Sequence, residues 1–586
     1  MLFSWKFIEL EEFPDSFSET VLHMVWKKKA AAEILKNNRF IHMKHPLART
    51  CEALIFNQSK KEIFEQSSIY QIGGQSGHAP EEHVFTLKSI IGLMQSKGEG
   101  LILNLVDIIL FFDREDILDV IEALENMKVN KKVLRLWYKL NNNTEIRVKT
   151  SVGMTESAQV GALVGQGSGG AAVGSQAMVD MGLRQYLAGS EDELYYGEVR
   201  VESAAFQDDI AKPNTDVMSA QSGMTRLSAM LLERGLEAHR DKTSYLVCGS
   251  KAYKKKTEEQ LKIMPLRFGE FSVKRKISDK YLGQIIHEGG LTESAEATIK
   301  DRTGKIKGAI YLTKTIIETY EMQGVGCMLA ARTLWEQAIV PSLLHGAGTW
   351  VGSTEQTEKL CEELQLLFWR TVLQVPKSTP KVMLRAETLS LQMKQRIWMS
   401  KLMLAQSILR RETSLANKVY MEQLKMGWTG LSSEVEEICE KIGIKNVNEE
   451  FESKDKVEDA IFYHNYHKMK IEINKYEKLE DVKNDDFREL PEYMNMKSLD
   501  KVRMAFRIKT KMVKNIKMNY KNSHKNNLAC EQCASGESET QCHALTCTGW
   551  QEQRAGLDLS SLEDMVTFFA RVLEDKDRKK KEGGQS

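Results

Sequence analysis

Apolar positions recur along this chain in several distinct patterns, and each predicts a different element. Leu101-Ile102-Leu103-Asn104-Leu105-Val106 is a nearly continuous apolar run that ends on Asp107, as expected of a strand buried on both faces. Soon afterwards Ile117, Val120, Ile121 and Leu124 place apolar side chains at three- and four-residue spacings behind Asp116, which predicts an amphipathic helix. In 161–174 the glycines sit among Ala, Val and Leu, and helical apolar residues continue through Met178, so the stretch reads as a close-approach loop entering a helix. Leu194 to Val201 predicts a strand or hairpin, and Ala204-Ala205-Phe206-Gln207-Asp208-Asp209-Ile210 sets two carboxylates in a turn between apolar runs. A helix from about Thr215 to Leu232 follows, and the chain returns through Gly235-Leu236 to an apolar Leu246-Val247. This order of elements predicts an α+β fold, with helices packed behind an antiparallel sheet.

Elsewhere the pattern is mostly helical. Residues 1–100 mix short helical patterns with basic clusters, Trp26-Lys27-Lys28-Lys29 and Arg39-Phe40-Ile41-His42-Met43-Lys44, that a solvated face would explain. Lys251, Lys254, Lys255, Lys256, Lys274, Arg275 and Lys276 form a basic zone, followed by helical patterns with few breakers to about Val375. From Pro376 to Asp500 the chain is charged and helical without identifiable chemistry. In 501–525, Val502, Phe506, Val513, Ile516 and Tyr520 share one helical face. Lys501, Arg503, Arg507, Lys509, Lys511, Lys514, Lys517, Lys521 and Lys525 make a cationic strip suited to a phosphate backbone. The end of the chain carries a helical apolar pattern through Val566 and Phe568-Phe569, and its basic run Arg578-Lys579-Lys580-Lys581 reads as a solvated terminus rather than as the weaker alternative, a nuclear-targeting signal.

Composition narrows the picture. A length of 586 residues implies several domains, and 82 Lys+Arg against 81 Asp+Glu means that any affinity for nucleic acid comes from local segregation of charge. Nine cysteines, four of them crowded between Cys530 and Cys547, do not form a secreted disulfide framework and point to a reducing compartment. No stretch approaches the roughly 20 apolar residues of a membrane span, so the expectation is an intracellular protein, in nucleus or cytoplasm, without a membrane partner.

Candidate chemistry gathers at two places. Asp208 and Asp209 are like charges side by side, an arrangement that a cation stabilises, and magnesium is the hard ion that takes carboxylate oxygens while leaving positions for phosphate and water. Asp107 could join them from its own strand, as a two-metal site needs, or could instead start the following helix. The glycines of Gln71-Ile72-Gly73-Gly74-Gln75-Ser76-Gly77-His78 permit a tight loop, but no Gly-Lys-Ser/Thr follows to make a P-loop. The second place is Cys530-x2-Cys533-x9-His543-x3-Cys547, four soft ligands suited to tetrahedral zinc, with Cys542 an alternative ligand or a spare thiol.

These residues together resemble the palm of a reverse transcriptase, in detail that of non-LTR (LINE-type) retrotransposons. Asp107 with Phe112-Asp113 fits the first palm motif, Gly165-Gln166-Gly167 approximates the second, and Phe206-Gln207-Asp208-Asp209 is the third. Gly235-Leu236 with Lys242-Thr243 matches the fourth, with Arg240 or His239 where Asn is usual, and Tyr281-Leu282-Gly283 is the fifth. Arg39-Phe40-Ile41 and Gln71-Ile72-Gly73-Gly74 resemble the finger motifs upstream. Two departures stand out: Gly169-Gly170-Ala171-Ala172 replaces the usual Ser-Pro, and Phe111 stands where Ala is common.

The resemblance implies a right-hand polymerase: fingers over 1–100, palm 101–290, helical thumb 291–380, helical connector 381–500, basic helix and CCHC zinc knuckle 501–550, and a tail 551–586. It implies that Asp107 and Asp208 hold two Mg2+ ions with Asp209 a lesser ligand. Phe112 would select deoxynucleotides, Gln166 and Gly167 would contact template and incoming nucleotide, Arg39 would bind substrate, and Lys242 would neutralise or protonate the leaving phosphate. Cys530, Cys533, His543 and Cys547 would hold structural Zn2+. The implied partners are an RNA template, a DNA primer or target, and deoxynucleoside triphosphates. No room for an endonuclease is seen at either end, which leads to the expectation of the polymerase portion of a larger element, a truncated copy or a domesticated descendant. The rival readings are a catalytically silent nucleic-acid-binding protein and an RNA-dependent RNA polymerase, against which Phe112 argues.

Overall fold

The apolar run at Leu101 is a strand, Gly100–Asp107, buried at every residue but Asp107 and central in a five-stranded sheet. The computed structural model describes residues 2–27, 34, 37–109, 111–160, 165, 167–188, 193–322, 326–444, 454–513, 528–533 and 535–582. They divide into two units, the first comprising Met1–Ser294, Thr349–Gly352 and Ser407–Glu434, the second Ala295–Gly348, Ser353–Gln406 and Val435–Ser586. The class is α+β, as the pattern predicts.

In the first unit the central sheet runs in the order Lys274–Arg275, Ser244–Gly249, Gly100–Asp107, Asp209–Asn214, Ala204–Phe206, and every pairing is antiparallel except that of Ser244–Gly249 with Lys274–Arg275. Strand side chains alternate between faces, so Ile102 and Val106 enter one core, together with Met178 of the helix Ala171–Ala188 and Met224 of the helix Val217–Glu233. On the same side of the strand Asn104 donates to the Ala220 carbonyl of that last helix at 3.1 Å. The helix Pro80–Ser96 packs against the strand as well, which accounts for an apolar run without alternation. Trp137, fully buried, meets Phe56 edge-on at 5.3 Å in the same core.

A second sheet holds Asn38–Lys44, Glu19–Trp26, Thr144–Thr150, Gly153–Met154 and Ala158–Val160. The basic cluster from Arg39 to Lys44 therefore lies on a strand. The 251–276 basic zone is largely engaged within the unit: Arg275 pairs with Glu258 and Glu288, Lys254 with Glu288, Lys274 with Asp241, and Lys276 with Asp279.

The second unit is built of helices around aromatic contacts, with Trp335 and Phe368 at 4.8 Å and Phe368 and Trp369 at 4.8 Å. Here the cationic strip is corrected. The helix is Leu499–Lys509, shorter than expected; Lys511 lies beyond it, and Lys514, Lys517, Lys521 and Lys525 fall outside the described residues. Arg503 and Arg507 are buried and donate to the carbonyls of Val372 and Gln374 at 3.0 Å each. Lys509 pairs with Asp485 at 2.6 Å and with the buried Glu387 at 3.2 Å, and Lys511 pairs with Asp481. A cation satisfied inside the fold is not offered to phosphate. Nearer the C-terminus, Phe568, Phe569 and Val572 of the helix Leu562–Glu582 are fully buried, and Arg578 and Lys579 pair with Asp575. No helix among the described residues is long and apolar enough to cross a membrane.

Candidate active site

The two adjacent aspartates lie at the tip of a hairpin. Ala204–Phe206 and Asp209–Asn214 pair antiparallel with Phe206 opposite Asp209, which leaves Gln207 and Asp208 as a two-residue turn. Short hairpin turns need left-handed backbone, and Gln207 supplies it with φ of 55°. The neighbouring ladder sets Asp209 directly opposite Asp107. Opposed residues of an antiparallel pair point to the same face, with Cβ atoms about 5 Å apart. Sheet register thus unites carboxylates about a hundred residues apart in sequence. The helix-start alternative for Asp107 is not what the fold uses: Asp116 caps the helix Ile117–Asn126 by accepting from Leu118 N at 2.8 Å.

Lys242 reaches the same point by a return of the chain. Ile109 N donates to the Glu237 carbonyl at 2.8 Å and His239 N to the Asp107 carbonyl at 2.7 Å, continuing the pairing past the end of the central strand. A turn closed by Lys242 N and Thr243 N on the His239 carbonyl then carries the Lys242 ammonium to 2.5 Å from Asp107 Oδ1. Lys242 is half exposed, so this pair contributes only about 0–1 kcal/mol. Its consequence is placement of a cation beside the Asp107 carboxylate.

The local charge is unbalanced. Burial, reinforced by the charge of Asp107, raises the Asp208 pKa, while Lys242 and Arg39 pull against it. Burial followed by repulsion from Asp208 and Asp107 pushes Asp209 up to about 7. Three carboxylates, Asp107 and Asp209 on paired strands and Asp208 in the turn, thus gather at one end of the sheet.

Arg39, exposed on Asn38–Lys44, lies close enough to Asp208 to affect its charge. Phe112 sits in the short helix Phe111–Arg114, half-buried, its ring 5.3 Å from that of Phe111. Gly167 has φ of 108°, a conformation that requires glycine, whereas Gln166 lies outside the described residues. At three positions of the Gly-rich stretch the close approach is to the protein itself. A Cβ would stand 2.3 Å from His42 Cγ at Gly165, 2.0 Å from Phe56 Cε2 at Gly170 and 2.7 Å from Val120 Cγ1 at Gly174, so packing within the protein requires these glycines.

Sequence reasoning missed the residues that hold this loop and the hairpin. Glu52, fully buried, accepts from Ser168 Oγ at 2.9 Å and Gly169 N at 2.8 Å, and is neutralised by Lys44 at 2.9 Å. Gln71, also fully buried, bonds the hairpin turn, and Tyr281 of the fifth motif donates to the Ala204 carbonyl at 2.7 Å. Only the motif matches at Gln71 and Tyr281 gave any signal; Lys44 and Glu52 are an ordinary lysine and glutamate in the linear pattern.

The second candidate site is the Cys/His cluster. Ala529 pairs with Ser538 through the backbone, and the helix Gln541–Thr546, capped by Thr540, presents His543 to Cys533. The ligand atoms of Cys530, Cys533, His543 and Cys547 lie within 4.8 Å of one another, with Cys530 Sγ to Cys547 Sγ at 3.7 Å and Cys533 Sγ to His543 Nε2 at 3.4 Å. Tetrahedral zinc with Zn–S near 2.3 Å sets ligand edges of about 3.5–3.8 Å, so the cluster could bind zinc. Glu537 holds the other ring nitrogen of His543 at 2.6 Å, the usual orienting contact for a metal-binding imidazole. Cys542 is exposed and outside the cluster, which resolves the alternative in favour of a spare thiol.

No family model and no curated protein matches the chain. Among solved structures it is similar to telomerase from Candida albicans in complex with the TWJ fragment of telomeric RNA, at 12% identity over 75% of this chain and 69% of that one with a TM-score of 0.35. It is also similar to Candida tropicalis telomerase in the same kind of complex, at 10% identity over 79% of this chain and 67% of that one, TM-score 0.34. The apo Candida tropicalis telomerase truncated from its C-terminal domain matches at 10% identity over 47% of this chain and 54% of that one, TM-score 0.31. The chain thus spans about half to two-thirds of these proteins' lengths.

Proposed function

We propose that this chain is an RNA-directed DNA polymerase of right-hand architecture, of the LINE type, which extends a DNA 3′-hydroxyl on an RNA template. The observation that carries the reading is Asp107 standing across the ladder from Asp209, beside Asp208 at the tip of the same hairpin. On this reading 1–100 are fingers, 101–290 palm and 291–380 thumb, with the Cys/His cluster as a zinc knuckle. RNA template, DNA primer and deoxynucleoside triphosphates are the partners.

Asp107 and Asp208 would hold two magnesium ions with Asp209 beside them, and their crowded negative charge is the physical reason for such binding. Bound there, magnesium would lower the pKa of the primer hydroxyl and stabilise the departing pyrophosphate. The protein's own groups supply the rest. Lys242 is poised on Asp107 and, once that carboxylate is engaged elsewhere, its ammonium is available to neutralise or protonate the leaving phosphate. Phe112, on the element that follows Asp107, would exclude a sugar 2′-hydroxyl, Arg39 would bind the triphosphate, and Gln166 with Gly167 would lie along the template and incoming base.

Primer extension on an RNA template with magnesium tests this. Wild type should synthesise DNA, Asp107→Ala and Asp208→Ala should not, and Phe112→Ala should admit ribonucleotides. No synthesis by wild type, with template still bound, would establish the silent nucleic-acid-binding protein instead; efficient RNA synthesis by wild type would establish an RNA polymerase.

A further inference from the structure

The Asp208 turn is strained where it can least afford to move. Gln207 is a non-glycine residue at φ of 55°, a conformation that costs an L residue about 1–2 kcal/mol unless something holds it. The segment around Gln71 does so. The Gln71 Oε1 accepts from Gln207 N at 3.0 Å and from its own neighbour Gly73 N at 2.9 Å, while Nε2 donates to the Gln207 carbonyl at 3.3 Å. One side-chain amide therefore grips both peptide groups that flank the strained residue. A side-chain amide carries a donor and an acceptor on one planar group and so can do both.

The grip is itself fixed. Ala205 N donates to the Tyr70 carbonyl at 2.8 Å and Ile72 N to the Ala205 carbonyl at 3.2 Å, so the segment runs beside the hairpin as a short parallel bridge. His83 Nε2 meets the same Ala205 carbonyl at 3.1 Å. Gly73 lies so close that a Cβ there would stand 2.4 Å from Gln207 N. Gln71 is fully buried and touches neither carboxylate in any of these bonds.

We infer that Gln71 is a positioning residue that sets the Asp208-Asp209 turn for divalent-cation binding by clamping Gln207 in its left-handed conformation. The inference rests on the reading of Asp107, Asp208 and Asp209 as cation ligands but not on the polymerase reaction. Its particular consequence is that removing the strain should substitute for the clamp: glycine at 207 adopts positive φ without cost.

The test measures Mn2+ binding by electron paramagnetic resonance on the zinc-loaded full chain, with Asp208→Ala defining the signal that belongs to this site. Gln71→Met keeps the length and apolar volume of the side chain and should weaken Asp208-dependent Mn2+ binding about tenfold, the worth of one to two buried hydrogen bonds. Gln71→Met/Gln207→Gly should recover most of that loss, and Gln207→Gly alone should bind as wild type. Wild-type affinity in Gln71→Met overturns the inference, as does a loss that Gln207→Gly fails to recover, which would make Gln71 a packing residue only. Absence of any Asp208-dependent signal in wild type overturns it along with the cation site. Primer extension on the same samples separates the two claims: the expected Mn2+ pattern without DNA synthesis sustains the clamp and refutes the polymerase.

Discussion

Lys509→Met distinguishes a cation that holds the fold from one that holds nucleic acid. In the second unit Glu387 is fully buried; Oε2 receives the Tyr493 hydroxyl at 2.6 Å, and Lys509 stands 3.2 Å from Oε1. Burial raises the Glu387 pKa, and Lys509 is the first of the groups that pull it back. Methionine preserves the stem but strands the carboxylate, which then either stays charged, at the 3–5 kcal/mol typical of a broken buried pair, or takes a proton. Protonation sets the ceiling. At about 1.36 kcal/mol per pH unit, holding glutamate neutral at pH 7 costs about 3.7 kcal/mol, and at pH 5 about 1 kcal/mol. The variant's folded Glu387 pKa lies above its unfolded value, so its stability is greatest below the unfolded pKa and declines as pH rises. Hydrogen exchange of the peptide covering 499–509 reads this locally. The opening free energy should fall by about 3 kcal/mol at pH 7 and about 1 kcal/mol at pH 5. Equal losses at both pH values would refute the argument. So would unchanged exchange combined with a nucleic-acid affinity whose salt slope drops by about one, the mark of a lost phosphate contact.

Two further outcomes follow from buried groups and the Cys/His cluster. Burial holds His83 neutral, its pKa lowered to about 4 against an unfolded value near 6.5, so wild type should lose up to roughly 3 kcal/mol of first-unit stability as pH falls from 6.5 to 4. His83→Gln should flatten that loss in exchange of 80–96, and an unchanged pH profile would count against a neutral histidine. Metal analysis of purified protein should find one zinc per chain, abolished by Cys547→Ala but not by Cys542→Ala; loss with the second variant would return Cys542 to the ligand set.

Much of the site was legible because its logic is local. A doubly buried strand writes itself as an unbroken apolar run, so Gly100–Asp107 and its terminal aspartate were readable, as was the hairpin around Asp208. Cysteine and histidine spacing likewise announced a cluster whose ligand atoms do converge. Charge was read less well. Arg503, Arg507 and Lys509 appear in sequence as a strip facing solvent, yet their partners Val372, Gln374, Glu387 and Asp485 come from segments far along the chain. The glycines of 165–174 invited a ligand because composition reports that something comes close, not what; in the fold Phe56, His42 and Val120 come close.

The sequence by itself determined which residues could be strands and helices, and which carried chemistry, since period, turn residues and ligand type are properties of short windows. Tertiary structure alone decided that Asp209 faces Asp107, that Lys242 returns to that carboxylate, and that Gln71 grips the turn between Asp208 and its strand. Those facts depend on strand register and on hydrogen bonds between segments more than a hundred residues apart, and no local pattern encodes a distance across the sheet.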